Sequence, residues 1–161
     1  MSNSLIVFAS RHGTAEKSAR LLFRLMNGKV DLCNLEEREF LPDLSAYDTV
    51  VVGGSVYSGV IQDSISNFCS EKREELLHKR LGFFINCMYS GEKAQKQLQA
   101  AYPFELTSKA LICDYFGGEI DRLKLNFWER IVATQMIERD YLVVALSKEK
   151  IANFAERMNA L

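Results

Sequence analysis

The sequence predicts an α/β fold: a doubly wound, parallel, five-stranded sheet with strand order 2-1-3-4-5. Five short apolar runs alternate with longer amphipathic stretches, which is the rhythm of βαβ units. Within each run the apolar residues are consecutive, not alternate, as strands covered by helices on both faces require. A chain of 161 residues, 48% hydrophobic and 25% charged, also supplies one substantial core. No repeat, low-complexity tract or linker marks a second domain, so residues 1–161 are expected to form one.

The first run is Leu5 to Ala9. Ala15, Ala19, Leu22, Leu25 and Met26 follow at helical spacing, and Asn27-Gly28 is the stop. The second run is Val30 to Cys33. Residues 35–46 carry Pro42 and several acidic side chains, cannot fill a crossover, and read as a loop with one helical turn at most. Thr49 to Val52 is the third run, followed by a helix marked by Ile65, Phe68, Cys69, Leu76 and Leu77, with His78 as its C-terminal cap. Leu81 to Ile85 is the fourth run, and Gly91 to Ala101 the next helix. The fifth run is Ala110 to Cys113, with Tyr115-Phe116 after it. Residues 117–146 break the rhythm and read as an insertion around the fifth strand: Gly117-Gly118, the amphipathic Leu123 to Ile137, then the apolar Tyr141 to Leu146. Ser147 is an N-cap candidate for a last helix marked by Ile151, Phe154, Ala155 and Met158.

Several classes of function are excluded at this level. Twenty basic against twenty-one acidic side chains leave a net charge of −1, so no global field favours nucleic acid or an anionic membrane. Cys33, Cys69, Cys87 and Cys113 are far apart inside apolar or amphipathic stretches, which reads as buried thiols in a reducing compartment. The N-terminal apolar stretch is too short for a signal peptide or a membrane span, so a cytoplasmic location is expected; peripheral membrane association stays open. His12 and His78 are the only histidines, no Cys/His cluster has ligand spacing, and no metal is expected.

Ligands of open parallel sheets bind beyond the carboxyl ends of the strands, and the residues there are unusual. The first strand runs into Ser10-Arg11-His12-Gly13-Thr14-Ala15 directly before a helix. Hydroxyls, a glycine allowing close backbone approach, and amides at a helix N-terminus suit a phosphate. An ordinary capped turn uses the same residue types, and the two readings weigh evenly on this loop alone. The third strand leads into Gly53-Gly54 and then Ser55, Val56, Tyr57, Ser58 and Gly59. The fourth leads into Asn86, Cys87, Met88, Tyr89, Ser90 and Gly91, and the fifth into Phe116, Gly117 and Gly118. Aromatic, glycine-containing loops beside a phosphate cradle suit a flat aromatic ligand with a phosphate tail, although each tyrosine taken alone fits simple packing on a helix. Neither G-x-x-x-x-G-K-[ST] nor G-x-G-x-x-G is present.

These loops together resemble the flavodoxins, over nearly the whole chain. The family's phosphate loop, of the type S-x-T-G-x-T, stands here as Ser10 to Ala15: Ser10 and Gly13 match, while His12 and Ala15 replace hydroxyl residues. The resemblance implies non-covalent FMN, with its phosphate on Ser10 to Ala15 and its ring between Ser55 to Gly59 and Asn86 to Gly91. Tyr57 and Tyr89 would be the stacking residues, Gly59 a peptide free to flip, and Phe116 to Gly118 a further contact. Arg11 or His12 would supply charge in place of the missing hydroxyls. Receiver domains share the strand order, but their acidic pair, aspartate and lysine are absent: Ser10-Arg11, Gly53-Gly54 and Tyr115-Phe116 stand there. Within the superfamily, Phe8 to Gly13, Gly53-Gly54-Ser55 and Ile151 to Ala155 are similar to the menaquinone-dependent protoporphyrinogen dehydrogenase group.

The chemistry would then belong to the flavin, with stacked rings and a low dielectric disfavouring its anionic reduced form. No side chain is assigned as acid or base. Three readings follow: an oxidoreductase acting on a porphyrinogen-type substrate with a quinone acceptor, an electron carrier between protein partners, or a flavin-free interaction module. Near-neutral charge leans towards the enzyme, because carriers of this family are usually strongly acidic. Residues 121–139, with Leu125, Trp128, Ile131, Val132 and Met136 at helical spacing, are expected to form an amphipathic helix that either serves the electron partner or covers the core.

Overall fold

In the computed structural model, residues 2–10, 13–37, 40–118 and 146–160 are described, without the side chain of Tyr57. Arg11, His12 and the expected helix at 121–139 lie outside them. The strands are β1 (Asn3–Ala9), β2 (Lys29–Asn34), β3 (Thr49–Tyr57), β4 (Val60–Ile61), β5 (Arg80–Asn86) and β6 (Ile112–Tyr115). The helices are α1 (Thr14–Leu25), α2 (Asp63–Glu71), α3 (Arg73–Leu76), α4 (Gly91–Ala101), α5 (Phe104–Thr107) and α6 (Lys148–Asn159).

Five strands pair in parallel in the order β2-β1-β3-β5-β6, and β4 pairs antiparallel with β3. The parallel strands therefore follow the predicted 2-1-3-4-5 order. The consecutive apolar residues divide between two cores. Leu5, Val7 and Ala9 face one side with Val50, Val52, Leu81, Phe83 and Ile85, under α2 to α5. Ile6, Phe8, Val51 and Phe84 face the other, under α1 and α6. Gly82 makes room for α6, since a Cβ there would lie 2.7 Å from the Met158 sulfur and 2.9 Å from the Phe154 ring.

Three expectations are corrected. The helix read over residues 65–77 is two, broken at Lys72, whose ψ of 13° ends α2 before α3 begins. The loop after the third strand is instead a hairpin: β3 continues through Tyr57, Ser58 and Gly59 turn, and Val60 returns opposite Tyr57. Both turn residues have positive φ, 52° and 79°, as a type I′ turn requires. Phe116, expected at the ligand, is fully buried, stacked on Phe84 at 5.0 Å and edge-on to Phe154 at 5.4 Å. It belongs to the core because the chain turns inward to bring α6 against the sheet, with the Ser147 N–H donating to the Phe116 carbonyl at 2.8 Å.

Other expectations match. Gly91–Ala101 is helical, the segment between β2 and β3 has a single 3-10 turn at Leu44–Ala46, and Ser147 caps α6 by accepting the Lys150 N–H at 3.2 Å. Cys33, Cys69 and Cys87 are buried, Cys113 is half-buried, and all four are free thiols. Among the described residues no helix is long and apolar enough to cross a membrane.

Candidate functional site

Because the five long strands are parallel, their carboxyl ends share one edge, where the segments after β1, β3 and β5 lie side by side in sheet order. Three nearly buried amide side chains tie this edge together. Asn34, at the end of β2, accepts the Ser10 N–H at 3.3 Å and the Glu36 N–H at 3.1 Å. Gln62, delivered by the β3–β4 hairpin, accepts the Ser55 N–H at 3.0 Å and donates to the Ala9 carbonyl at 3.1 Å. Asn86, at the end of β5, donates to Ser18 Oγ in α1 and to the Gly117 carbonyl, both at 2.9 Å. Each of the three is under 9% exposed, so an unmatched amide would be costly and the pairing holds the strand ends in register.

At the head of α1, Gly13 sits at φ 89°, which only glycine adopts without strain, and Ser10 Oγ accepts its N–H at 2.9 Å. The first amide to close within the helix is that of Lys17, onto the Gly13 carbonyl at 2.9 Å. Amides of a first helical turn precede such closure and point out along the axis, where they favour an anion. The Ser10 side-chain oxygen thus holds the turn at the head of the helix. Thr14 is nearly buried and Ala15 fully so, which makes the Ala15 methyl a core group and leaves its backbone as the part that can serve the site.

At the end of β3, Ser55 is buried and Val56 half-buried, and Ser58 and Gly59 are exposed at the hairpin tip. After β5, Asn86 and Cys87 are buried, Met88 and Tyr89 half-buried, and Gly91 exposed. The Cys87 thiol donates to the Tyr89 carbonyl at 3.5 Å, and burial, the largest influence, pushes its pKa up despite that bond and the Lys150 charge. Lys93 lies 4.7 Å from the Tyr89 ring centroid. Gly118 packs against the Cys87 carbonyl, which a Cβ would approach to 3.1 Å.

Sequence reasoning ended the third run at Val52 and placed Gly53 and Gly54 in the segment beyond it, whereas both lie within β3 with packing tasks on opposite faces. A Cβ on Gly53 would fall 2.0 Å from the Phe84 ring, and one on Gly54 would fall 2.7 Å from Gln62 Oε1. It missed Ser18, Asn34 and Gln62, whose signal was available only as polar residues next to strand or helix ends. Among the described residues no group of His, Cys, Asp and Glu could hold a metal ion. An open cavity of about 600 Å³ lies elsewhere, at the β2 edge between Phe23, Phe40, Leu41 and Tyr47, without a set of converging donors.

The donor set fits FMN. Outward amides behind a left-handed glycine suit its phosphate, and the hairpin and the half-buried Tyr89 loop stand on the same sheet edge.

Comparison with known proteins agrees. A search of curated proteins finds no match. Among solved structures, a short-chain flavodoxin associated with a PDU bacterial microcompartment superposes with a TM-score of 0.59 at 15% identity, covering 98% of this chain and 97% of that one. Oxidised flavodoxin 1 from Bacillus cereus gives 0.54 at 17% identity, with 98% and 97% coverage. Rubredoxin oxygen:oxidoreductase from the anaerobe Desulfovibrio gigas gives 0.58 at 16% identity, but 99% of this chain spans only 35% of that one. At these identities the likeness carries the fold alone. The flavodoxin domain family model matches residues 5–140, most of the chain. The chain therefore belongs to the flavodoxin domain family, and is an FMN-binding, flavodoxin-like redox protein.

Proposed function

We propose that the protein is an oxidoreductase that takes electrons from a flat, reduced substrate of the porphyrinogen type and passes them to a quinone. The observation carrying the enzymatic part is the near-neutral charge of −1, which gives little of the steering field a shuttling carrier needs. The likeness of Phe8 to Gly13 and Ile151 to Ala155 to the protoporphyrinogen dehydrogenase group supports the substrate class. Bound FMN supplies reversible electron transfer with its accompanying protons. The chain's own residues hold and orient: first-turn amides of α1 and Ser10 grip the phosphate, Asn34, Gln62 and Asn86 fix the strand ends beneath it, and Tyr89 covers one ring face. Four uncrosslinked thiols support a reducing, cytoplasmic setting.

A carrier between protein partners is the second reading. Membership of the flavodoxin domain family supports it.

Two measurements test these statements. Apo-protein titrated with FMN, FAD and riboflavin should bind one FMN per chain more tightly than either of the others. Gly13→Val should weaken FMN at least about tenfold while riboflavin changes less, since the β-branched side chain cannot take the αL turn without strain. Equal binding of riboflavin and FMN would remove the phosphate role. The holo-protein with a porphyrinogen and a soluble quinone analogue should then turn over catalytically. Absence of turnover, with rapid electron transfer to a redox protein such as cytochrome c, would establish the carrier instead.

A further inference from the structure

We propose that Lys150 and Tyr115 form a clamp that sets the position of the loop carrying Tyr89, and so act as positioning residues for the flavin ring. The inference rests on the FMN reading above. Three contacts converge on Lys150 at the start of α6. Its ammonium pairs with Asp114 at 2.9 Å, donates to the Tyr115 carbonyl at 3.1 Å, and lies 3.2 Å from the centroid of the Tyr115 ring. The Lys150 backbone is itself held, because its N–H is the one that Ser147 caps.

Cation–π attraction fixes the ring plane, and the hydroxyl at its far end becomes a fixed acceptor. That hydroxyl accepts the N–H of Gly91 at 3.2 Å. Gly91 has φ 61° and begins α4, so its amide lies where the loop after β5 turns into the helix. The other end of the loop is closed by the Cys87 thiol on the Tyr89 carbonyl at 3.5 Å. Tyr89 therefore stands between two ties, one internal to the loop and one reaching across to β6 and α6. The second tie acts where packing is absent, since a Cβ at Gly91 would meet nothing within 4 Å.

A residue at the ring's face matters through its distance and tilt, so a loop held from across the sheet edge fixes both affinity and potential. The test uses full-length protein and three variants. Tyr115→Phe keeps the ring under Lys150 and removes only the acceptor, Lys150→Met removes the cation, and Lys150→Arg retains it. Hydrogen exchange at the Gly91 amide, read without flavin, reports the clamp itself and should accelerate in Tyr115→Phe and Lys150→Met. In the same variants FMN should bind about fivefold more weakly, the scale of one lost hydrogen bond, with a shifted reduction potential and altered visible circular dichroism of the flavin. Lys150→Arg should restore all three towards wild type. Faster Gly91 exchange with unchanged flavin affinity, potential and dichroism would overturn the positioning role while leaving FMN binding intact. A wild-type protein that binds no FMN would overturn the proposal together with the reading beneath it, and the flavin titration alone would show that.

Discussion

Gln62 shows how much one side chain can carry in this fold. Its amide joins the last carbonyl of β1 to the Ser55 amide of β3, and Gly54 exists in that strand to let it approach. Replacing Gln62 with Leu keeps the volume but leaves the Ala9 carbonyl and the Ser55 N–H buried without a partner. Each unmatched group costs about 1–3 kcal/mol, so urea unfolding should show a clear loss of stability. FMN affinity should fall with it, because Ala9 immediately precedes the phosphate loop. A Gln62→Leu protein of unchanged stability would mean that water replaces the amide. Nothing in the residue type announces this role: a glutamine immediately before a helix looks like any solvated loop residue until Ala9 and Ser55 are placed on either side of it.

At the scale of elements, the β3–β4 hairpin is what turns a strand end into a shaped rim. The exposed tip has Ser58 and Gly59 both at positive φ, and a Cβ at Gly59 would meet nothing within 4 Å. The position is therefore selected by backbone conformation and not by space. Gly59→Val should cost about 1–2 kcal/mol by thermal or urea unfolding, and Gly59→Asn much less, since asparagine tolerates the left-handed region. Equal losses for the two would point to an unseen packing constraint. The glycine was legible in the sequence as a residue tolerant of positive φ, but the hairpin was not. Val56 and Tyr57 are good strand formers, yet a two-residue return strand is too short to show any periodicity. The break between α2 and α3 escaped for a related reason, because Ile65, Phe68, Cys69 and Leu76 keep helical spacing across it.

For the molecule as a whole, the core under α2 to α5 gathers ionisable groups that are stable only when neutral. Burial pushes the Cys69 thiol up to about 12, burial and the Asp114 charge push Cys113 up to about 11, and burial raises the Tyr102 hydroxyl well above its ordinary value. Tyr102 donates that proton to the Phe84 carbonyl at 2.6 Å. The sign follows from which state ionises first. Above the ordinary thiol value near 9 the unfolded chain loses protons that the folded one retains, so stability is full below that pH and falls as pH rises through the thiol range. The unfolding free energy from urea titration should drop between neutral pH and about pH 10, by on the order of 1 kcal/mol per fully buried thiol, and the midpoint with it. Cys69→Ala, though less stable at neutral pH, should flatten that slope. A midpoint independent of pH over this range would mean that the thiols titrate equally in both states.

The sequence by itself determined the layered sheet, its parallel order and the edge at which a ligand must sit. Consecutive apolar residues demand cover on both faces, and parallel strands bring all their carboxyl ends to one side. It also marked Ser10 to Ala15 as the turn that opens the first helix, where Gly13 sits at φ 89°. Only the tertiary structure decided what each neighbouring residue does there. Phe116 and Tyr115 are adjacent aromatics with the same sequence signature, yet one ring is buried against Phe84 and the other reaches across to Gly91. Gly53 and Gly54 looked like loop glycines and instead make room within β3 for Phe84 and Gln62. Hydropathy reports that a residue is covered, but the identity of the group covering it depends on which distant segment the fold lays alongside, and no local pattern encodes that.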